Sequence, residues 1–447
     1  MNFEESVRYL LSLGRELAAP TQAAAAKFNL ENITILANSL GHPERKYPSV
    51  HIAGTNGKGS TAAFLESILR TAGYRTGLYT SPHLARINER IRVNGEEMSD
   101  ARFASVFSRI HSTIEESLAS GALRAHPTFF ECVTAIAFAY FSDADVEFAV
   151  FETGLGGRLD STNIVTPQVS IITRVDFDHE TFLGHSLREI AGEKAGIIKP
   201  GVPVVIAEQR EEVREVLLAK ARELSARVIE TTSAFTIESQ KMLDGRARGT
   251  VRRIETGVRF EVGPQLAGLF QFQNALNAVA ATGVLQSKGF RISDADIEKG
   301  IAAAIWPGRI EKVHCDPDIY LDGAHNPSAA RELAMFFDEN LHGRKLILIF
   351  AALRDKAVDE IAGILFPRAS EVFFTEPRTS RSISASQLAE ISGHHARHFK
   401  IIPDAEEALD AALAQAAPGD VICITGSLYL VGQLRHHWQM GTHAPSR

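Results

Sequence analysis

Apolar positions along this chain recur either at helical spacing or in short runs and alternations, and the switches between these patterns mark its elements. Residues 1–48 read as helical and amphipathic, from Val7-Arg8-Tyr9-Leu10-Leu11 through Ile33 to Leu40, where Gly41 and Pro43 stop the pattern. Val50-His51-Ile52-Ala53 is a short apolar run that predicts a buried strand. Ala63, Phe64, Ile68 and Leu69 then return at helical spacing as far as about Thr71. A second strand is predicted over 76–80, followed by charged, loop-like sequence from Arg86 to Gly95. Helices over 100–120 and 129–141 come next, then strands over 146–151 and 169–173. Residues 226–262 alternate apolar and polar, with turns at Asp244-Gly245 and Thr256-Gly257, and predict antiparallel strands. Helices from Asn274 to about Ser287 and from Ser293 to Ile305 complete this part of the chain.

Trp306-Pro307-Gly308-Arg309 breaks the periodicity and divides the chain into residues 1–306 and 307–447. Beyond it, strands near Ile319, Leu346, Val372, Ile401 and Val421 alternate with helical segments, as a doubly wound unit requires. The expected fold class is α/β. Its first unit has a mostly parallel sheet plus a small antiparallel one, and its second is a Rossmann-like α/β domain.

The chemistry begins between the first strand and its helix. Gly54-Thr55-Asn56-Gly57-Lys58-Gly59-Ser60-Thr61 packs three glycines, a lysine and hydroxyls into one turn. Strand, glycine loop and helix direct backbone N–H groups and a helix N-terminus at an anion. Lys58 adds a point charge, and Ser60 or Thr61 can reach a magnesium ion. The loop departs from the common P-loop pattern, with Ile52 where that pattern has its first glycine and Gly59 inserted after the lysine. A glycine-rich turn closing a βα unit is the plain alternative, and the three clustered glycines favour nucleotide binding over it.

Three further strands end in polar residues: at Ser81-Pro82-His83-Leu84, at Glu152-Thr153-Gly154-Leu155-Gly156-Gly157-Arg158 and at Asp176-Phe177-Asp178-His179. In an open α/β sheet, ligands bind in the crevice beyond such strand ends. Ser81 and Glu152 are natural oxygen ligands for magnesium. His179 is a softer ligand, and alone it reads as a hydrogen-bonded core histidine. Glu193-Lys194 near a helix end reads by spacing as a solvated helical face. Asp322-Gly323-Ala324-His325-Asn326-Pro327 ends a strand of the second unit. It reads as a turn into the helix that begins at Pro327, or as an Asp and a His gripping a ribose or phosphate.

Composition narrows the class. With 47 Lys+Arg against 54 Asp+Glu the net charge is −7, and no basic stripe with interleaved aromatics argues for nucleic acid. Cys132, Cys315 and Cys423 lie far apart in apolar contexts, as reduced buried thiols rather than disulfides or a zinc site. No apolar run is long enough to span a bilayer, and the first residues carry no basic-then-apolar leader, so a cytoplasmic protein is expected.

In order along the chain, Leu30-Glu31-Asn32-Ile33, the 54–61 loop, Ser81-Pro82-His83-Leu84, Asn88-Glu89-Arg90, Glu152 to Asp160, Asp178-His179, Glu193-Lys194-Ala195-Gly196-Ile197, Gln273-Asn274-Ala275, Pro307-Gly308-Arg309 and Asp322 to Pro327 form one set. That set resembles the folylpolyglutamate synthase and dihydrofolate synthase branch of the Mur ligase family. The resemblance covers nearly the whole chain, though Asn29 stands where the family's usual residue is glycine. It implies an ATP-dependent ligase that joins L-glutamate to a folate compound, or to dihydropteroate, through an acyl phosphate. It implies an ATP-binding central domain with N-terminal helices over 1–306 and a glutamate-ligase domain over 307–447. Lys58, His179 and Lys194 would be the catalytic set, with Lys194 carbamylated. Ser60, Ser81, Glu152 and His179 would hold magnesium. Residues 54–61 with Asn274, Arg309, Asp322 and His325 would bind ATP. It also implies a monomer. Two other readings stand beside it: a Mur-type ligase acting on a cell-wall precursor, and a P-loop nucleotide switch that hydrolyses without ligating.

Overall fold

In the computed structural model, which describes residues 1–14 and 29–440, the strands gather into three sheets. The large sheet holds β1 (Ser49–Ala53), β2 (Thr76–Tyr79), β3 (Ile91–Val93), β4 (Glu96–Glu97), β5 (Phe148–Glu152), β6 (Val169–Ile172), β7 (Val204–Ile206) and β8 (Val228–Glu230). Their order is β4-β3-β2-β5-β1-β6-β7-β8, with β3 and β4 antiparallel at one edge and the rest parallel. A parallel sheet is covered on both faces, so its strands read as unbroken apolar runs. Val50, Ile52, Val150 and Ile171 join the core beneath helices Lys58–Thr71 and Leu269–Ser287. Tyr79, Ala149 and Phe151 join the opposite core, under helices Asp100–Ala119 and Phe129–Asp143.

A three-stranded antiparallel sheet of β9 (Phe235–Leu243), β10 (Arg246–Arg253) and β11 (Arg259–Val262) lays Phe235, Val251 and Phe260 on the first of these cores. The third sheet contains β12 (Glu311–His314), β13 (Asp318–Leu321), β14 (Leu346–Phe350), β15 (Glu371–Glu376), β16 (Phe399–Asp404) and β17 (Val421–Thr425), ordered β12-β13-β17-β14-β15-β16. All but β12 run parallel, and apolar clusters cover both faces. The α/β class with one mostly parallel sheet, a small antiparallel sheet and a second doubly wound unit is therefore as expected.

The differences are local. The charged stretch from Arg86 to Gly95 is no mere loop: it contains a 3₁₀ turn, Ile87–Arg90, and then β3. Ile91 and Val93 are buried on either side of Arg92, and Asn94-Gly95, both at positive φ, turn the chain back into β4. Within the expected antiparallel stretch, Val228–Glu230 instead pairs in parallel with β7 and closes the large sheet. β12 was not expected. Cys132 and Cys423 are buried, but Cys315 is exposed, because it sits in the Cys315-Asp316-Pro317 turn between β12 and β13 rather than in a strand. The helical pattern of 1–48 appears as Phe3–Ser12 and Glu31–Ser39, and its part over 15–28 lies outside the described residues.

Phe151 is wholly buried among Tyr47, Tyr79, Phe138 and Phe141, with its nearest ring centroid, that of Phe138, at 5.2 Å. Phe151→Ala is expected to lower stability by about 3–5 kcal/mol, the range for a lost aromatic and its residual cavity. Urea unfolding checks this, and a loss under about 1 kcal/mol would mean that the site collapses around the smaller side chain.

Candidate active site

The glycine loop is set by the two strands that flank β1. Ile52 lies level with Glu152 of β5, and Ala53 with Ile172 of β6. Past the strand end, Thr55 N and Asn56 N donate to Arg174 O at 2.9 and 3.2 Å, so the loop is tied to the segment after β6. Gly54 and Gly57 adopt φ of +150° and +86°, and a Cβ on either would collide with the side chain of Thr173 or Asn274. On Gly59, a Cβ would meet Trp306 Nε1 at 2.8 Å. Helix Lys58–Thr71 starts directly from the loop, with Gly57 at its N-cap.

On the other flank, Tyr79 of β2 pairs with Phe151, which brings Ser81 beside Glu152. Ser81 N donates to Glu152 Oε2 at 3.2 Å. Glu89 braces this segment, its carboxylate accepting from Leu84 N, Ala85 N and Arg86 N at 2.7–2.9 Å. Asp160, also buried, accepts from Gly154 N and Leu155 N and so shapes the turn after β5.

Lys194 overturns the expectation of a solvated face. It is 3% exposed, because Gly157 and Gly196 let the 154–158 turn press onto the end of helix Leu187–Ala195. Its Nζ donates to Gly54 O at 2.7 Å. Burial, and then the charge of Lys58, lower its pKa to about 7. Burial pushes the Glu152 carboxyl up, against the opposing pull of Lys58, the Ser81 N–H and Arg309.

The second sheet supplies the facing wall. Asp322, at the end of β13, accepts from Ala324 N and Ile310 N through its two oxygens, so its carboxylate shapes the turn as well as lining the cleft. His325 approaches Asp178, with Nε2 3.5 Å from Oδ2. Between the two walls lies a cleft of about 440 Å³. Gly54, Thr55, Asn56, Gly57, Lys58, Gly59, Ser60, Ser81, Glu152, His179, Lys194, Asn274, Arg309, Asp322 and His325 all line it. Thr61 does not: it is buried one step into the helix, and its hydroxyl donates to Asn274 O at 3.4 Å.

Two segments of the chain match family domains: the Mur ligase middle domain over residues 52–282, and the Mur ligase glutamate ligase domain over residues 308–428. The dihydrofolate synthase/folylpolyglutamate synthase of Bacillus subtilis is 36% identical over 398 residues, covering 89% of this chain and 91% of that protein. The chain belongs to the Mur ligase family, in the branch of the folylpolyglutamate and dihydrofolate synthases. Among solved structures, Mycobacterium tuberculosis folylpolyglutamate synthase complexed with ADP superposes with a TM-score of 0.89 at 30% identity, covering 98% of each chain. Escherichia coli FolC in complex with DHPP and ADP gives 0.83 at 29% identity, again covering 98% of each.

Several residues of this Mur ligase cleft are not evident from the sequence pattern. Lys356 is the foremost: its side chain is 4% exposed and its Nζ lies 2.6 Å from Asp178 Oδ1. It lies six residues beyond β14, so the strand-end rule applied to Leu346–Phe350 would reach it. Asp178 and Asn326 lie inside recognised motifs that give them no role of their own. Burial opposes charge on Asp178, but Lys356 and the two neighbouring histidines hold its carboxyl well below the usual range. His179 is pushed down to about 3, chiefly by burial, and its Nδ1 has no hydrogen-bond partner among the described residues.

Because the folded-state pKa of Lys194 lies near 7 and its ordinary value near 10.5, the unfolded chain binds the extra proton between those values. Stability therefore rises with pH across that window, and the full penalty is present below it. Lys194→Met is expected to remove this rise. Denaturant midpoints of both chains from pH 7 to 10 check it, and parallel profiles would contradict it.

Proposed function

We propose that this chain is an ATP-dependent ligase that joins L-glutamate to folate compounds, and also converts dihydropteroate to dihydrofolate. The observation that carries this is the single cleft that gathers the glycine loop, the three polar strand ends and the Arg309-to-His325 wall. The relatives' names, and the ADP and DHPP of the solved structures, point the same way.

Residues 1–306 act as the nucleotide-binding unit and 307–447 as the glutamate-ligase unit, in a cytoplasmic monomer. The N–H groups of residues 57–60, at the start of helix Lys58–Thr71, and the Lys58 ammonium cradle the triphosphate, where they oppose charge that develops during phosphoryl transfer. Asn274, Arg309, Asp322 and His325 bind the nucleotide from both sides of the cleft. Ser60, Ser81, Glu152 and His179 are fitted to hold Mg²⁺. Ser81 Oγ and His179 Nδ1 are buried without hydrogen-bond partners among the described residues, and Glu152 offers a carboxylate beside Ser81 in the same cleft. ATP supplies the phosphoryl group that turns the folate carboxyl into an acyl phosphate, and Mg²⁺ supplies Lewis-acid charge.

The depressed pKa of Lys194 leaves a neutral amine available near pH 7, the form whose nitrogen attacks CO₂ to give a carbamate, with one amine proton released to solvent. Carbamylated Lys194 turns a cation into an anionic oxygen ligand beside the loop. The two walls exclude water that would otherwise hydrolyse the activated carboxyl.

Phosphate release from ATP and magnesium with L-glutamate is expected with dihydropteroate and with tetrahydrofolate as acceptors. Release with tetrahydrofolate alone would leave a folylpolyglutamate synthase. Turnover only with a muramyl nucleotide, or glutamate-independent hydrolysis alone, would overturn the proposal. Lys58→Ala is expected to lower kcat by about 10²–10³, the range for one lost charge-stabilising group. Near-normal kcat in steady-state kinetics of that variant would exclude the role given to Lys58.

A further inference from the structure

Asn326 makes more contacts across the cleft than a turn residue requires. It is 2% exposed and is the N-cap of helix Pro327–Asn340, its Oδ1 accepting from Ala329 N at 2.9 Å. Capping uses the oxygen alone. The amide nitrogen points the other way, into the first unit, where it donates to Asn56 Oδ1 at 2.9 Å and to Asp178 Oδ2 at 3.2 Å. Asn56 returns a bond from its own Nδ2 to Asn326 Oδ1 at 3.2 Å. The two amides thus face each other head to tail, one on the glycine loop and one at a helix start of the second unit.

Asp178 closes the arrangement. Its other oxygen takes the Lys356 ammonium of the second unit at 2.6 Å, so one carboxylate binds two separate loops of the facing wall. The glycine loop, the segment after β6 and two loops of the second unit are therefore joined through a few part-buried polar groups. Such groups carry energy only when every member is satisfied.

We propose that Asn326 is a positioning residue that couples the glycine loop to the second unit, so that nucleotide held by the loop fixes the placement of the glutamate-ligase wall. The inference rests on the ligase reading above. Asn326 acts on the reacting atoms only through the two walls, which it holds in register while the acceptor amine attacks. Loss of the pair lets phosphoryl transfer proceed with the walls out of register, and the activated carboxyl is lost to water.

The test separates this from a capping role. Asn326→Ser and Asn326→Asp both keep a side-chain oxygen for Ala329 N, and Ser, Asp and Asn cap about equally well. Capping alone predicts equal behaviour. Coupling predicts that Asn326→Ser lowers glutamate incorporated per phosphate released, about fivefold or more, while raising KM for ATP. It also predicts that Asn326→Asp is worse, since it places a second carboxylate against Asp178. Asn56→Ser, which leaves the helix cap untouched, must lower the same ratio.

The double variant Asn56→Ser/Asn326→Ser must fall no further than the worse single variant, within about twofold, as for two groups in one contact. An unchanged product-to-phosphate ratio in Asn326→Ser, or multiplied losses in the double variant, overturns the inference. So does equal behaviour of Asn326→Ser and Asn326→Asp. Wild-type chain that releases no phosphate with either acceptor overturns the proposed function instead, and this inference with it.

Discussion

Everything at the cleft depends on β1 lying between β5 and β6 in parallel. Parallel pairing brings the C-terminal ends of all three strands to one rim. There Thr153 N and Thr173 N donate to Ile52 O and Ala53 O, at 2.9 and 2.8 Å, and the ladder runs out. The segment leaving each strand must then turn within a few residues of its neighbours. This crowding explains the glycines, because Gly54 lies against Thr173 and Gly157 against the Glu193 and Lys194 carbonyls. It explains the polar residues as well, since the backbone groups freed at a sheet's end need partners that the sheet no longer gives.

The same crowding sets the electrostatics. Two lysines and a glutamate lie around the Gly54 turn, and the charge of Lys58 acts on both Glu152 and Lys194. Glu152 is pushed toward its neutral form by burial and drawn back by Lys58. Lys194 is driven toward neutrality by burial and by the same lysine. Asp178, by contrast, is kept ionised by Lys356, although it is nearly as enclosed. The first unit thus holds poised groups and the second unit supplies a fixed countercharge. A ligase that must bind a polyanion and then protect an activated carboxyl needs both kinds of environment within one cavity.

Legibility in the sequence differs with the physical origin of each part. The strands β1, β5 and β6 are readable because burial on both faces gives an unbroken apolar run, and Ser81, Glu152 and His179 are readable because Glu152 ends a strand and the other two lie in the segments that follow one. Lys194 is not, since its burial comes from glycines at 157 and 196 that let a distant turn settle on its helix. Sequence spacing on one helix carries no record of the groups that pack against it. Ile91 and Val93 are hidden by the charge of Arg90 and Arg92, although Asn94-Gly95 is a sound hairpin sign. Cys315 departs from its expected burial because its apolar neighbourhood suggests a strand where Asp316-Pro317 marks a turn. Lys356 belongs to a third class: its partner, Asp178, is 178 residues away, and only the meeting of two sheets makes it a buried cation.

The interface between the units is built from residues that already have local work. Asn326 caps a helix and meets Asn56. Leu84, the last residue of the Ser81 segment, packs its main chain so closely on Gly432 that a Cβ there would strike the Leu84 carbonyl. Gly308 lies against both Leu84 and Val431. Local and inter-unit roles compete differently for each group. Asn326 accepts at its cap through the oxygen and bridges to Asp178 through the nitrogen, whereas Asp322 carries acceptors only and takes N–H groups of its own unit, Ile310 and Ala324. The unit to which each polar group's partners belong, rather than nearness to the cleft, separates the residues that join the two units, Asn326 and Asp178, from those such as Asp322 that shape one of them.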